Sequence, residues 1–195
     1  MTKAFVIGNG TSRSTISLDA LKTHGKTYGC NAVYRDFTPD YLIAVDAKMI
    51  VELNQNRIQH KTEVWTNPNK AYASISNLKF FNPSKGWSSG PTALYKASDD
   101  GHDEIYILGF DYQGIGENNQ IVNNVYAGTQ NYKRKEDRAT YYGNWLKQTV
   151  LTIQKNPQKR YIRVLEPLGF IPKEFAKLNN LGHISIEDFK KKFLS

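Results

Sequence analysis

The chain is short of cysteine, of histidine and of long apolar runs. One cysteine, Cys30, in 195 residues excludes a disulfide framework and fits a reducing compartment. No apolar run approaches the ~20 residues of a membrane span. The opening MTKAFVIGNG has too short an apolar stretch for a signal peptide. A cytoplasmic protein with no membrane partner is therefore expected. The four histidines, His24, His60, His102 and His183, lie far apart without metal-ligand spacing, so no metal site is assigned. Repeats and low-complexity tracts are absent as well. What is present, 39% hydrophobic and 12% aromatic residues, suffices for a core and excludes a disordered basic tail.

Positive charge is in excess, and its placement matters more than its total of +8. Residues 1–110 carry 12 Lys or Arg against 10 Asp or Glu, whereas residues 111–195 carry 14 against 8. A surplus of this kind favours phosphorylated or polyanionic partners, and it also suits a merely soluble surface. Nothing in the sequence speaks to oligomeric state.

Apolar runs alternate with helical patterns, which predicts an α/β protein: a single Rossmann-like domain (a GT-A-like variant) over 1–195, with a mostly parallel sheet, flanking helices and a lid loop. Strands are expected at Ala4–Ile7, Tyr28–Ala32, Tyr41–Val45, Glu63–Thr66, Leu78–Phe81, Glu104–Leu108 and Tyr161–Leu165. Helices are expected after the Gly8-Asn9-Gly10-Thr11-Ser12 turn, over 47–54, from Ser88-Ser89-Gly90-Pro91 to Gly101, and through Tyr142, Trp145, Leu146, Thr149, Val150 and Ile153. Two short helices should close the chain, the last capped by Ser185 with Asp188 three residues on. Residues 113–138 hold little periodicity and many Asn and Gly, the signature of a lid or binding loop. They divide a nucleotide-binding core, 4–112, from a C-terminal helix–strand–helices unit, 139–195.

Ligands in open α/β sheets bind at the carboxyl ends of strands. Small or polar residues stand at such ends here: Gly8-Asn9-Gly10, Cys30-Asn31, Asp46 and Gly109-Phe110-Asp111. Ser89-Gly90 opens a helix, where free N–H groups suit phosphate. Each also has a purely structural use. The glycine pair can be a tight turn, Asp46 a helix cap, Asp111 a loop organiser, and Ser88 and Ser89 a cap. Gly8-Asn9-Gly10 lacks the third glycine of a dinucleotide fingerprint and the lysine of a P-loop, which disfavours NAD, FAD and ordinary ATPase chemistry. Arg13 could face a leaving diphosphate or be a solvated helix-start residue. Cys30 reads as a small buried hydrophobe. Lys133, Arg134, Lys135 and Arg138, interleaved with tyrosines, suit contacts to a phosphate-bearing acceptor such as DNA.

The order strand–Gly-Asn-Gly-x-Ser, Cys-Asn, Ser-Gly before a helix, then Glu104-Ile105-Tyr106-Ile107-Leu108-Gly109-Phe110-Asp111-Tyr112 resembles the bacterial sialyltransferases of the Campylobacter type. Pro39-Asp40-Tyr41-Leu42-Ile43-Ala44-Val45-Asp46 is closer to the related hydroxymethylpterin pyrophosphokinase-like proteins. Together the resemblance spans residues 4–112. It implies that Gly8, Asn9, Gly10, Asn31, Ser89 and Gly90 hold the nucleotide of a sugar donor, with Tyr112, and further on Tyr126, at its phosphate. The family's catalytic histidine has no clear counterpart, since none lies between His102 and His183. A carboxylate base, Asp46 or Asp111, then fits inverting glycosyl transfer. The expected function is a nucleotide-sugar-dependent glycosyltransferase whose acceptor is a hydroxymethylated pyrimidine in phage-type DNA. A nucleotide-sequestering protein without turnover, or a pyrophosphokinase-like enzyme using ATP and Mg²⁺, are the alternatives.

Overall fold

The computed structural model describes residues 1–195 and contains one sheet of eight strands. They are β1 (Lys3–Ile7), β2 (Lys26–Cys30), β3 (Tyr41–Ile43), β4 (Glu63–Thr66), β5 (Leu78–Phe80), β6 (Glu104–Leu108), β7 (Arg160–Leu165) and β8 (Leu181–Ser185). Every neighbouring pair is parallel, so the expected mostly parallel sheet is wholly parallel. Parallel neighbours cannot be joined by hairpins and need crossovers. Helix α1 (Ala47–Gln55) supplies one of these, α2 (Ser89–Asp99) carries the chain from edge strand β5 back to β6, α3 (Gly143–Gln154) joins neighbours β6 and β7, and α4 (Ile186–Phe193) follows β8.

The central strands are buried on both faces, which explains why they read as continuous apolar runs instead of alternating ones. Phe5 and Ile7 of β1 pack with Met49, Ile50 and Leu53 of α1 and with Phe189 and Phe193 of α4. Ala4 and Val6 point to the other face, toward Ala93, Leu94 and Ala97 of α2 and Ile153 of α3. The strand order is β5-β4-β3-β2-β1-β6-β7-β8. Sequence order thus runs outward in one direction from β1 to β5 and in the other from β6 to β8. The loops leaving β1 and β6 diverge at that reversal, and a crevice opens at the strands' carboxyl ends.

Several sequence expectations need correction. The strand expected over 28–32 ends at Cys30, because Asn31 turns left-handed at φ 53°. The helix expected after the glycine loop is two 3₁₀ turns, Thr11–Arg13 and Asp19–Thr23. The Thr11 and Ser12 hydroxyls there bond to Asn123 and Asp111 from distant segments, and Ser and Thr are weak helix formers. The closing pair of helices is a 3₁₀ turn, Lys173–Lys177, then β8, then α4. The α4 cap is as expected: the Ser185 hydroxyl accepts from the Asp188 N–H at 3.0 Å.

Residues 113–142 form a strap over the crevice with almost no regular structure. It is fastened at several points. The Val125 N–H donates to the Asn9 carbonyl at 2.8 Å. The Asn131 amide donates to Glu52 on α1 at 2.6 Å, and Tyr126 is buried.

Candidate functional site

At the reversal, the β1 and β6 loops approach closely enough to require glycine. The Gly10 N–H donates to the Gly109 carbonyl at 2.9 Å. A β-carbon on Gly8 would lie 2.7 Å from the same carbonyl, and one on Gly10 would strike the Asp111 carboxylate. Asn9 is buried and bridges strands: its amide donates to the Cys30 carbonyl at 3.0 Å, and its Oδ1 accepts from Arg13 at 3.1 Å. Arg13 is not solvated. It is 5% exposed and also donates to the Gly8 carbonyl at 2.7 Å and to the Tyr126 hydroxyl at 3.1 Å. The Tyr126 hydroxyl in turn donates to Asp36 at 2.6 Å, so its polar end is committed. One buried guanidinium therefore joins the glycine loop to the strap.

The two candidate carboxylates have unlike surroundings. Asp111 accepts from the Ser12 hydroxyl at 2.5 Å, the Ser12 N–H at 3.1 Å and the Asn123 amide at 3.0 Å. Asn123 itself accepts from the Thr11 N–H at 2.7 Å, so Asp111 and Asn123 together tie the glycine loop, the β6 loop and the strap. Asp46 stands at the N-cap position of α1, yet its side chain makes no capping bond. Its carboxylate is exposed, has no ion-pair partner and lines a cavity of about 310 Å³ with Asn31, Lys48, Asn131 and Tyr132. Asp46 is the unengaged carboxylate of the pair.

Other nominated residues are engaged within the fold. The Ser89 hydroxyl accepts from the Val45 N–H at 3.1 Å, joining the start of α2 to the end of β3. A β-carbon on Gly90 would lie 2.5 Å from the Trp145 indole, so this glycine sets the approach of α2 to α3. Tyr112 is buried, its hydroxyl donates to Thr149 at 3.0 Å, and burial raises its pKa. Its hydroxyl is therefore committed to α3, although the residue borders two of the crevice cavities. Among the basic residues, Arg134 pairs with Asp137 at 3.2 Å and with Glu136 at 3.6 Å, and Lys133 donates to the Arg138 carbonyl. Arg134 is thus neutralised, while Lys133, Lys135 and Arg138 keep uncompensated charge at the surface.

Three cavities run along the crevice. A polar one of about 140 Å³ lies between the loops and is lined by Asn9, Gly10, Asn31, Asn123, Tyr142 and Trp145 among others. It shares Asn31 with the Asp46 cavity on one side. On the other side it shares Tyr112, Thr140, Tyr141 and Tyr142 with a wider aromatic cavity of about 590 Å³. Asn31, at the junction, holds a buried Oδ1 with no hydrogen-bond partner. An unpaired buried polar atom costs on the order of 1–3 kcal/mol, which a ligand donor would recover. Trp145 and Asn124 escape the sequence reading as site residues, while Tyr141 and Tyr142 enter it only as tyrosines interleaved with the basic run. The helical stripe marks Tyr142 and Trp145 as core, and only the Asn-rich composition hints at Asn123 and Asn124.

No protein-family model, curated protein or solved structure matches the chain.

Proposed function

We propose that the chain is a nucleotide-sugar-dependent glycosyltransferase acting by inversion, with Asp46 as its base. The observation that carries this reading is Asn31. Its orphaned Oδ1 stands where a pocket walled by the glycine loop meets a cavity holding a free carboxylate. The donor's glycosyl group would sit at this junction. Asp46 removes the proton of the acceptor hydroxyl, whose oxygen attacks the anomeric carbon. The bond from that carbon to the donor phosphate breaks, and its electron pair leaves on the phosphate oxygen. Lys48, in the first turn of α1 and on the same cavity, would offset the negative charge that develops there. Asp111 serves this reading as a positioning residue, since its hydrogen bonds hold the glycine loop.

For the acceptor, the strap supports a polyanion. Asn131 and Tyr132 line the Asp46 cavity, and Lys133 and Lys135 follow directly in the chain. A hydroxymethylated pyrimidine in DNA supplies both the phosphates and the attacking hydroxyl. The test is release of the nucleotide leaving group from a panel of UDP-, GDP-, ADP- and CMP-linked sugars, with and without hydroxymethylated duplex. Wild type should turn over one donor. Asp46→Asn should retain donor affinity and lose activity by about 10²–10⁴-fold, the range for removal of a general base. Donor binding without turnover by wild type would mark a sequestering protein and overturn the enzymatic reading.

A further inference from the structure

We propose that the 590 Å³ aromatic cavity is the base subsite, which takes the nucleobase of the donor by stacking. The inference rests on the nucleotide reading above and specifies how the donor lies along the crevice. Size comes first. The polar pocket, at about 140 Å³, has room for roughly one six-membered ring. A nucleotide carries a pentose and a base, so the second ring must lie in an adjoining space. The Asp46 cavity is taken by the transferred sugar. A third neighbour, at the end of β7, is walled by Asp111 and Glu166, and its buried Arg163 already donates to the Phe110 and Phe170 carbonyls at 2.8 Å. That space offers few flat apolar surfaces, and it adds Glu166 to the Asp111 carboxylate that the polar pocket also carries.

The aromatic cavity has the complementary character. Tyr141, Phe170 and Ile171 are 80%, 41% and 51% exposed, and they come from two separate segments that meet on this one space. Large apolar groups left in water at a concave site are a gain waiting for a ligand, at about 25 cal/mol per Å² covered. Gly143 leaves room for the Tyr141 ring, because a β-carbon there would strike its phenol end. Gln113, Asn119, Lys173 and Glu174 also line the cavity, and their side chains make no hydrogen bond within the fold. The only side-chain-to-protein bond involving any of these residues is to the Gln113 main-chain carbonyl. Two amides supply donors and acceptors for the edge of a heteroaromatic ring, while flat apolar walls cover its faces. Lys173 and Glu174 balance in charge, which suits a neutral base and not a phosphate. Base, pentose and glycosyl group then follow in line from the aromatic cavity through the polar pocket to Asp46.

The test is calorimetric titration of the intact chain with UMP, CMP, AMP and GMP, with ribose 5-phosphate as the probe that lacks a base. At least one nucleotide should bind tenfold or more tightly than ribose 5-phosphate. Tyr141→Ala should weaken that nucleotide by about tenfold, as loss of a stacking aromatic does. Its exposed position should leave the melting temperature unchanged, and ribose 5-phosphate, whose pocket Tyr141 also borders, should lose less affinity than the nucleotide. Gly143→Ala, which displaces the ring without removing it, should weaken the same nucleotide. Equal nucleotide affinity in wild type and Tyr141→Ala would overturn the assignment, as would a loss confined to DNA binding. Binding is read here and turnover in the Asp46→Asn assay, so failure of one reading is separable from failure of the other.

Discussion

At the scale of single residues, the crevice separates groups that build the loops from groups left available. Asp111 accepts three hydrogen bonds from two segments, whereas Asp46 accepts none from a capping partner. Their substitutions should therefore diverge in stability as well as activity. Asp111→Ala strands the Ser12 N–H and hydroxyl and removes one of the two acceptors of the Asn123 amide, at about 1–3 kcal/mol, and should lower the melting temperature by roughly 3–10 °C. Asp46→Asn should melt with wild type in the same thermal scan. Cys30 gives a second residue-scale expectation. Burial pushes its thiol up to about 12, with the Arg13 charge only partly opposing. It should resist a thiol-labelling reagent at pH 8 in the native protein and react fully in denaturant. Rapid labelling of the folded chain would contradict the packing described. Sequence alone offers both carboxylates equally, because each follows a strand. What distinguishes them is Asn123, twelve residues past Asp111, whose contact no local pattern announces.

At the scale of elements, the strap is stapled to α1 through a buried carboxylate. Glu52 accepts from the Tyr34 hydroxyl at 2.5 Å, Arg35 at 2.6 and 2.9 Å, and Asn131 at 2.6 Å. Burial opposes its ionisation, but these donors outweigh burial and hold its pKa below the ordinary 4.5. The folded state therefore gains stability above pH 4.5 and loses it as pH falls through the depressed value. Acid titration followed by hydrogen exchange should release residues 126–132 in that window, and Glu52→Gln should flatten the acid limb. Another element-scale contact is Gly90 against Trp145. Gly90→Ala should cost about 1–3 kcal/mol by overpacking, read as a lower denaturant midpoint. Seven of the eight strands are legible in the sequence, though β4 and β5, Glu-Val-Trp-Thr and Leu-Lys-Phe, carry a weaker apolar signal than the others. β8 is not, since Leu181-Gly182-His183-Ile184-Ser185 places glycine and histidine at its exposed middle and gains its strand form from pairing with β7. The first 3₁₀ turn after β1 is illegible for a similar reason: Ser12 is held by Asp111, distant in sequence, and Arg13 folds back to the Gly8 carbonyl.

At the scale of the whole molecule, topology collects what sequence scatters. Residues near 9, 31, 46, 111 and 142 reach one crevice because β1 and β6 adjoin at the reversal of an all-parallel sheet. The order of motifs exposes that arrangement in advance. Three adjoining cavities of different character do not appear in any motif, because they depend on the strap's course. The surplus charge of residues 111–195 is thinner at the strap than the sequence suggests, since Arg134 is paired with Glu136 and Asp137. Charge reversal at Lys133 and Lys135 together should weaken duplex binding and lower its salt dependence, whereas reversal at Arg134 should do less. Unchanged binding in the double variant would remove DNA from the account.

We propose that this crevice holds a nucleotide sugar. Hydrogen exchange of the whole chain, with and without the same panel of nucleotide-linked sugars, tests it most directly. One donor should slow exchange together at residues 8–12, 30–32 and 140–145. Protection by no donor, or protection confined to segments away from the β1 and β6 loops, would contradict it.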